Sequence, residues 1–146
     1  MVKILLFLFS GLLSTEGETG SGTLSVRVSN LESSQGCLRL AVYDRDNFLK
    51  KDKAISAKTV YLERTGKRRV VEMPDLAFGS YALAIYHDIN NNGKLDTNFM
   101  GIPAEPYAFS NNPGVKWRSP NYDETSFEFS RDQQIIEVTM QRWRER

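Results

Sequence analysis

The stretch Thr23-Leu24-Ser25-Val26-Arg27-Val28 alternates polar and apolar side chains, and alternation of this kind decides the fold class. Successive side chains of a β-strand point to opposite faces, so a period of two is typical of a strand with one buried face. The run from Tyr81 to His87 alternates large and small side chains in the same way. Both stretches therefore predict half-buried strands.

Further alternating or β-branched runs complete an all-β pattern. They are Cys37 to Tyr43, Thr59 to Leu62, Arg69 to Met73, Ser126 to Phe129 and Ile135 to Met140. About seven short strands at regular spacing favour an antiparallel β-sandwich, with Gly66 marking a hairpin turn and Asn47 to Lys53 as the one helical candidate. The side chains expected to face inward are Leu40, Val42, Leu83, Ile85, Phe127, Phe129 and Val138.

Length, charge and cysteine content narrow the class of protein. The chain has 146 residues, which fits one domain with a sizeable core. Its formal net charge is +1 and its basic residues are spread along the chain, so nothing indicates a nucleic-acid partner. The single cysteine, Cys37, excludes an intrachain disulfide, and its place at the start of an apolar run predicts a small buried side chain.

The first residues have the pattern of a secretory signal peptide. Lys3 supplies a positive charge, and Ile4 to Leu13 is almost wholly apolar but too short to span a membrane as a helix. We expect residues 1–20 to be removed, although no clean motif fixes the cleavage site and a retained N-terminal anchor is the alternative. Residues 21–146 then form a single exported domain without a membrane span, in the periplasm or outside the cell.

A connection of about 35 residues, from Asp88 to about Tyr122, shows no strand pattern. Loops of this length are usually functional or disordered. This one carries several large apolar residues, so we predict an ordered loop packed on one end of the sandwich. Tyr107, Phe109 and Trp117 are candidate ligand contacts, and anchoring the loop is the alternative role for at least two of them.

Within this loop, residues 88–96 match the opening of an EF-hand calcium loop. Asp88, Asn90 and Asn92 place side-chain oxygens at the first, third and fifth positions. Lys94 offers a backbone carbonyl, Asp96 adds a carboxylate at the ninth position, and the glycine at the sixth permits a sharp turn. The spacing therefore predicts a calcium site.

The match to a calcium loop is incomplete. The twelfth position is Phe99 rather than a bidentate glutamate, and Glu105 and Asp123 are the candidates to fold back as the missing ligand. We expect weak binding, in the roughly 10⁻⁴–10⁻³ M range of extracellular modules. A turn held by its own hydrogen bonds is the alternative, and Asp88→Ala is expected to cost the calcium-free fold little beyond one hydrogen bond.

The only histidine, His87, falls on the core-facing side of its strand and is expected to be structural. A hydrolase that uses His87, Asp88 and Glu105 is an alternative function. No nucleophile or complete metal site accompanies these residues in the sequence, so an enzyme is the less favoured hypothesis.

Four phrases of the sequence share their order and spacing with a known family. They are Leu40-Ala41-Val42-Tyr43-Asp44, Gly79-Ser80-Tyr81-Ala82, His87-Asp88-x-Asn90-x-Asn92-Gly93-Lys94-Leu95-Asp96, and Gly101-Ile102-Pro103-x-Glu105-Pro106-Tyr107-x-Phe109-Ser110-Asn111-Asn112. The chain resembles the uncharacterised bacterial family called domain of unknown function 2141, over about residues 23–141. The resemblance implies an exported protein with a prealbumin-like β-sandwich, and it implies no activity.

Three functions follow from these features. The first is a monomeric, non-enzymatic binding module whose loop contacts a protein or a glycan, with calcium stiffening the loop. The second is the hydrolase. The third is a structural domain without a ligand.

Overall fold

The structure, a computed structural model, describes residues 20–63, 66–115 and 117–143. It contains short strands and one single-turn helix. The elements are β1 (Ser21–Ser29), β2 (Cys37–Tyr43), β3 (Ser56–Tyr61), β4 (Arg68–Ala77), β5 (Gly79–Asp88), β6 (Tyr107–Phe109), α1 (Tyr122–Thr125), β7 (Ser126–Phe129) and β8 (Gln134–Thr139). The predicted signal peptide lies outside the described residues, apart from Gly20.

The strands form two sheets. The first has the order β4-β1-β8, and the second has the order β3-β2-β5-β6, with β7 also paired to β5. The short strands β6 and β7 lie end to end along β5, beside residues 84–86 and 79–82 respectively. The predicted all-β sandwich is confirmed, with eight strands among the described residues rather than about seven.

An apolar core lies between the sheets. Six of the seven side chains predicted to face inward are at most 2% exposed, and Phe127 is partly buried against them. Full burial of one such side chain contributes about 1.5–3 kcal/mol, so the alternation in the sequence corresponds to a large stabilising term. Cys37 is buried as predicted, and burial raises the pKa of its thiol above the ordinary value.

Two predicted features of the chain path are wrong. Strands β3 and β4 belong to different sheets, so Gly66 lies in a crossover between sheets and not in a hairpin. Strands β1 and β8 pair in parallel, with Leu24 opposite Gln134, whereas every other strand pair is antiparallel. A parallel pair needs a long connection, and here all the other elements of the fold separate the two strands.

The predicted helix over Asn47 to Lys53 is also wrong, because the chain forms turns there. The Asp44 carboxylate accepts a hydrogen bond from the Asn47 N–H at 2.9 Å, and Asp52 has a φ of 57°, which ends any helical run. The described helix is α1, which starts after a reciprocal pair of hydrogen bonds between Asn121 and Glu124. No helix of the described residues is long and apolar enough to cross a membrane.

The long connection predicted to lack strands contains β6, which is a further correction. Ser110 follows β6 and is buried. Its hydroxyl oxygen accepts a hydrogen bond from the Leu83 N–H at 2.9 Å and donates to the Thr125 carbonyl. One serine therefore fills the gap between β6 and β7 along the edge of β5.

Loop residues also cover the outer edge of β8. The Asn112 amide oxygen accepts a hydrogen bond from the Thr139 N–H at 2.7 Å, and its nitrogen donates to the Glu137 carbonyl at 3.2 Å. Just beyond β8, the backbone groups of Gln141 exchange two hydrogen bonds of 2.9 Å with those of Tyr107. The loop is therefore attached to both sheets.

Candidate functional site

Asp88, the last residue of β5, is fully buried at the start of the loop. Its carboxylate accepts hydrogen bonds from Arg39 Nε at 2.6 Å, the Gly93 N–H at 2.9 Å and the Asn92 N–H at 3.0 Å. Burial by itself raises the pKa of Asp88, but the hydrogen bonds from Arg39 and the two N–H groups outweigh it and leave the pKa below its ordinary value. The group is an ionised anchor.

This anchor overturns the expected mild effect of Asp88→Ala. Removing the carboxylate leaves a guanidinium and two backbone N–H groups without their acceptor at a buried position. The loss in free energy of unfolding therefore depends on these three unpaired donors and is larger than that of a single hydrogen bond in a turn.

Glu105 is the second anchor of the loop and is 6% exposed. Its two carboxylate oxygens accept hydrogen bonds from the Ile89 N–H at 2.8 Å and the Asp96 N–H at 3.1 Å. Asp88 and Glu105 together bind four backbone N–H groups between residues 89 and 96. The polar turn, defined as residues 88–105, is thus fastened from inside.

The predicted calcium ligands fall into separate groups. Asn90 Nδ2 and Asn92 Nδ2 donate to the Asp96 carboxylate at 2.7 and 2.8 Å, so these three side chains meet, but the amide oxygens face the turn's own N–H groups. Asp88 and Glu105 are held inside by the contacts described above. In residues 20–63, 66–115 and 117–143, no group of three or more His, Cys, Asp and Glu side chains could hold a metal ion.

Electrostatics adds to this separation. The Arg39 guanidinium lies 2.6 Å from the Asp88 carboxylate, so one of the predicted ligands is already paired with a cation of the protein. Asp123, the other proposed ligand, pairs with Arg45 at 2.5 Å. The geometry favours the self-bonded turn, and calcium binding stays a prediction.

His87 is also fully buried, as predicted. Its Nε2 lies 2.7 Å from the Gln35 carbonyl and therefore carries the proton, whereas Nδ1 has no partner in the described structure. The hydrolase alternative requires His87, Asp88 and Glu105 to reach a substrate. All three are buried, and both carboxylates are occupied by hydrogen bonds.

From Met100 onward, the loop supplies most of the lining of an aromatic groove with a volume of about 430 Å³. The predicted contact residues Tyr107, Phe109 and Trp117 all line it. The other lining residues are Met100, Gly101, Ile102, Pro103, Pro113, Val115, Arg118, Ser119, Pro120, Gln141 and Trp143. The structure therefore brings together three residues that the sequence could only name separately.

The loop beside the groove is strongly exposed for so apolar a segment. Trp117 is 78% exposed, and Phe99 and Met100 are 97% and 63% exposed. Tyr107 and Phe109 are partly buried, with ring centroids 6.1 Å apart. Exposed apolar side chains concentrated on one loop are typical of an interaction surface.

A family model matches most of the chain. The family model described as "Uncharacterized protein conserved in bacteria (DUF2141)" matches residues 26–137. The chain belongs to the DUF2141 family. No curated protein and no solved structure matches it. The DUF2141 match includes the whole polar turn and most of the groove, and it ends before Gln141 and Trp143.

Several residues of this DUF2141 protein were not found by sequence reasoning. Arg39 pairs with Asp88 only because β2 lies beside β5. Gly36 has a φ of 76°, and a Cβ there would lie 2.1 Å from the Asp88 carbonyl oxygen. Arg142 donates to Glu32 and to the Ala104 carbonyl, which fixes the chain next to Trp143. Only Gly36 carried a signal, since a glycine before a strand suggests a close backbone approach.

Proposed function

We propose that this chain is an exported, non-enzymatic binding module and that its ligand occupies the aromatic groove. The exposure of Trp117 beside the partly buried rings of Tyr107 and Phe109 carries the proposal. A surface aromatic ring that the protein leaves uncovered costs solvation free energy, and a ligand that covers it recovers that cost.

The contacts around the groove support a preformed site. The Tyr107–Gln141 backbone pair joins the groove's floor to the end of the sandwich, and Arg142 fastens the loop at Ala104. The polar turn holds the other end of the loop through Asp88 and Glu105. A preformed groove loses little conformational entropy on binding, so even a modest contact area can give useful affinity.

Export is part of this proposal and rests on the sequence of the first twenty residues. Intact-mass measurement of protein recovered from the periplasm or the medium tests it. We expect a chain that has lost about residues 1–20, as signal peptides of this length are removed. A full-length cytoplasmic product contradicts export.

The binding proposal has a direct spectroscopic test, because both tryptophans of the sequence line the groove. The purified protein is titrated with neutral oligosaccharides, anionic oligosaccharides and a proline-rich peptide while its two indole N–H signals are followed by NMR. We expect at least one probe class to shift both signals and to leave the Asn92 and Gly93 amide signals in place. If no class shifts either indole, the structural domain without a ligand becomes the better hypothesis.

A further inference from the structure

The described side chains that line the groove leave no unpaired charge. Among the described residues that line it, Arg118 is the only charged side chain, and its guanidinium forms two hydrogen bonds of 2.9 Å with the Glu124 carboxylate. The Arg118 guanidinium and the Asn121 N–H lower the pKa of Glu124 to about 2, so the pair stays neutral over the physiological pH range. An ionic ligand finds no free countercharge among these described side chains, so charge complementarity favours an uncharged ligand.

Polar groups of the groove are left without partners inside the described chain. The indole N–H groups of Trp117 and Trp143, the hydroxyls of Tyr107 and Ser119, and the Gln141 side-chain amide make no hydrogen bond to the described residues. They supply both donors and acceptors. The groove therefore combines flat apolar ring faces with a mixed hydrogen-bonding rim.

A saccharide has the matching chemistry. Its ring faces present C–H groups that stack on aromatic rings, and its edge presents hydroxyls that both donate and accept. A proline-rich segment offers carbonyl acceptors but no proline N–H, so it leaves the Gln141 oxygen unmatched. An apolar chain leaves every rim group unmatched, which costs free energy for each group it desolvates.

We infer that the ligand of the aromatic groove is an uncharged saccharide chain. The inference rests on the proposed binding function and names its ligand class.

The test compares neutral hexasaccharides with probes that differ in one property. Cellohexaose and fully N-acetylated chitohexaose are the neutral probes, an oligogalacturonate of the same length is the charged probe, and decaproline is the peptide probe. Intrinsic tryptophan fluorescence and calorimetry measure the dissociation constants. We expect saturable binding of a neutral hexasaccharide and at least tenfold weaker binding of the charged one, since the carboxylates are desolvated without a partner.

Variants locate the binding. Trp117→Ala is expected to weaken the binding of the neutral hexasaccharide about tenfold, because one stacked ring is lost. Tyr61→Ala is the matched control, because Tyr61 is an aromatic residue on β3 that is 61% exposed and lies outside the groove. Its affinity should equal that of the wild type.

The outcomes separate this inference from the proposed function. Binding of decaproline alone, or tighter binding of the oligogalacturonate, overturns the saccharide inference and keeps the groove as a binding site. Sugar binding that Trp117→Ala leaves unchanged overturns the inference, because the sugar then binds elsewhere. A protein to which no probe binds at millimolar concentration contradicts both proposals.

Discussion

The polar turn and the aromatic groove adjoin each other and share residues 100–103, but their polar groups differ in whether they have partners within the chain. In the turn, the buried carboxylates of Asp88 and Glu105 accept hydrogen bonds from four backbone N–H groups, those of Ile89, Asn92, Gly93 and Asp96. In the groove, the indole, hydroxyl and amide groups have no partner among the described residues and are open to a ligand. The turn, which resembles a calcium loop in sequence, already bonds to its own N–H groups. The groove, which no sequence motif marked, has polar groups without partners among the described residues.

The comparison gives a rule for locating a binding surface in a chain of this kind. Spacing of oxygens identifies residues able to ligate, but the structure decides whether those oxygens are still available. Changes in the turn should therefore alter stability, and changes in the groove should alter binding. The four predictions below test that division, from the largest expected effect on unfolding to the smallest.

Asp88→Ala should lower the free energy of unfolding by about 3–5 kcal/mol, because it leaves Arg39 and two N–H groups without an acceptor. Urea denaturation followed by circular dichroism measures this loss. The double variant Arg39→Met, Asp88→Ala removes the orphaned charge as well and should recover part of the stability. A loss below about 1 kcal/mol would show that Asp88 is an ordinary turn residue.

Glu105→Gln should lower the free energy of unfolding by about 1–3 kcal/mol. The glutamine amide keeps one acceptor oxygen, but its NH₂ group then faces one of the two N–H groups that Glu105 binds. Hydrogen exchange of the Ile89 and Asp96 amides should accelerate with it. Glu128→Gln on β7 is the control, because Glu128 is exposed and its carboxylate makes no described contact. Unchanged exchange at both amides would contradict the role of Glu105.

Calcium should stabilise the protein by at most about 1.4 kcal/mol at a tenfold excess over its dissociation constant. This figure is the mass-action value for a single site at that excess. The structure bears on the affinity, which we expect to be weak, because Asn90, Asn92 and Asp96 already bond to one another near the surface of the turn. Thermal unfolding across calcium concentrations measures the shift, with magnesium and chelator as controls. Asp96→Asn should abolish any shift, and a flat wild-type curve would contradict the calcium site that the spacing predicts.

Trp117→Ala should change the free energy of unfolding by no more than about 0.5 kcal/mol, because the side chain is 78% exposed. Phe129→Ala in the core is the contrasting variant, with an expected loss of about 3–5 kcal/mol. Urea denaturation compares the two. A large loss for Trp117→Ala would mean that its ring anchors the loop, and the groove would then lose its main candidate contact.

The sequence predicted those features that depend on neighbours along the chain. Alternation located β1, β2, β5, β7 and β8 because a buried face requires a period of two. Strand β6 was missed because a three-residue strand is too short to show a period. The role of Ser110 was missed because its partners are distant in the sequence: Leu83 lies on β5 and Thr125 is the last residue of α1.

The site was harder to predict because its contacts join distant segments. Tyr107, Phe109 and Trp117 were identifiable as large aromatics in a polar loop, but their groove is completed by Gln141 and Trp143 near the end of the chain. The Arg39–Asp88 ion pair depends on the register of β2 against β5. Local spacing alone therefore gave no indication that the Arg39 guanidinium contacts the Asp88 carboxylate.

The contact between the Asn112 side chain and the edge strand β8 bears on the aggregation of this protein. Exposed strand edges are templates for further strands, and they drive aggregation of β-proteins at high concentration. Asn112 engages the Thr139 N–H and the Glu137 carbonyl, which are the groups that a foreign strand needs first. The Asn112 amide therefore caps part of the β8 edge. We expect the resistance of this sandwich to aggregation to depend partly on a loop residue that belongs to neither sheet.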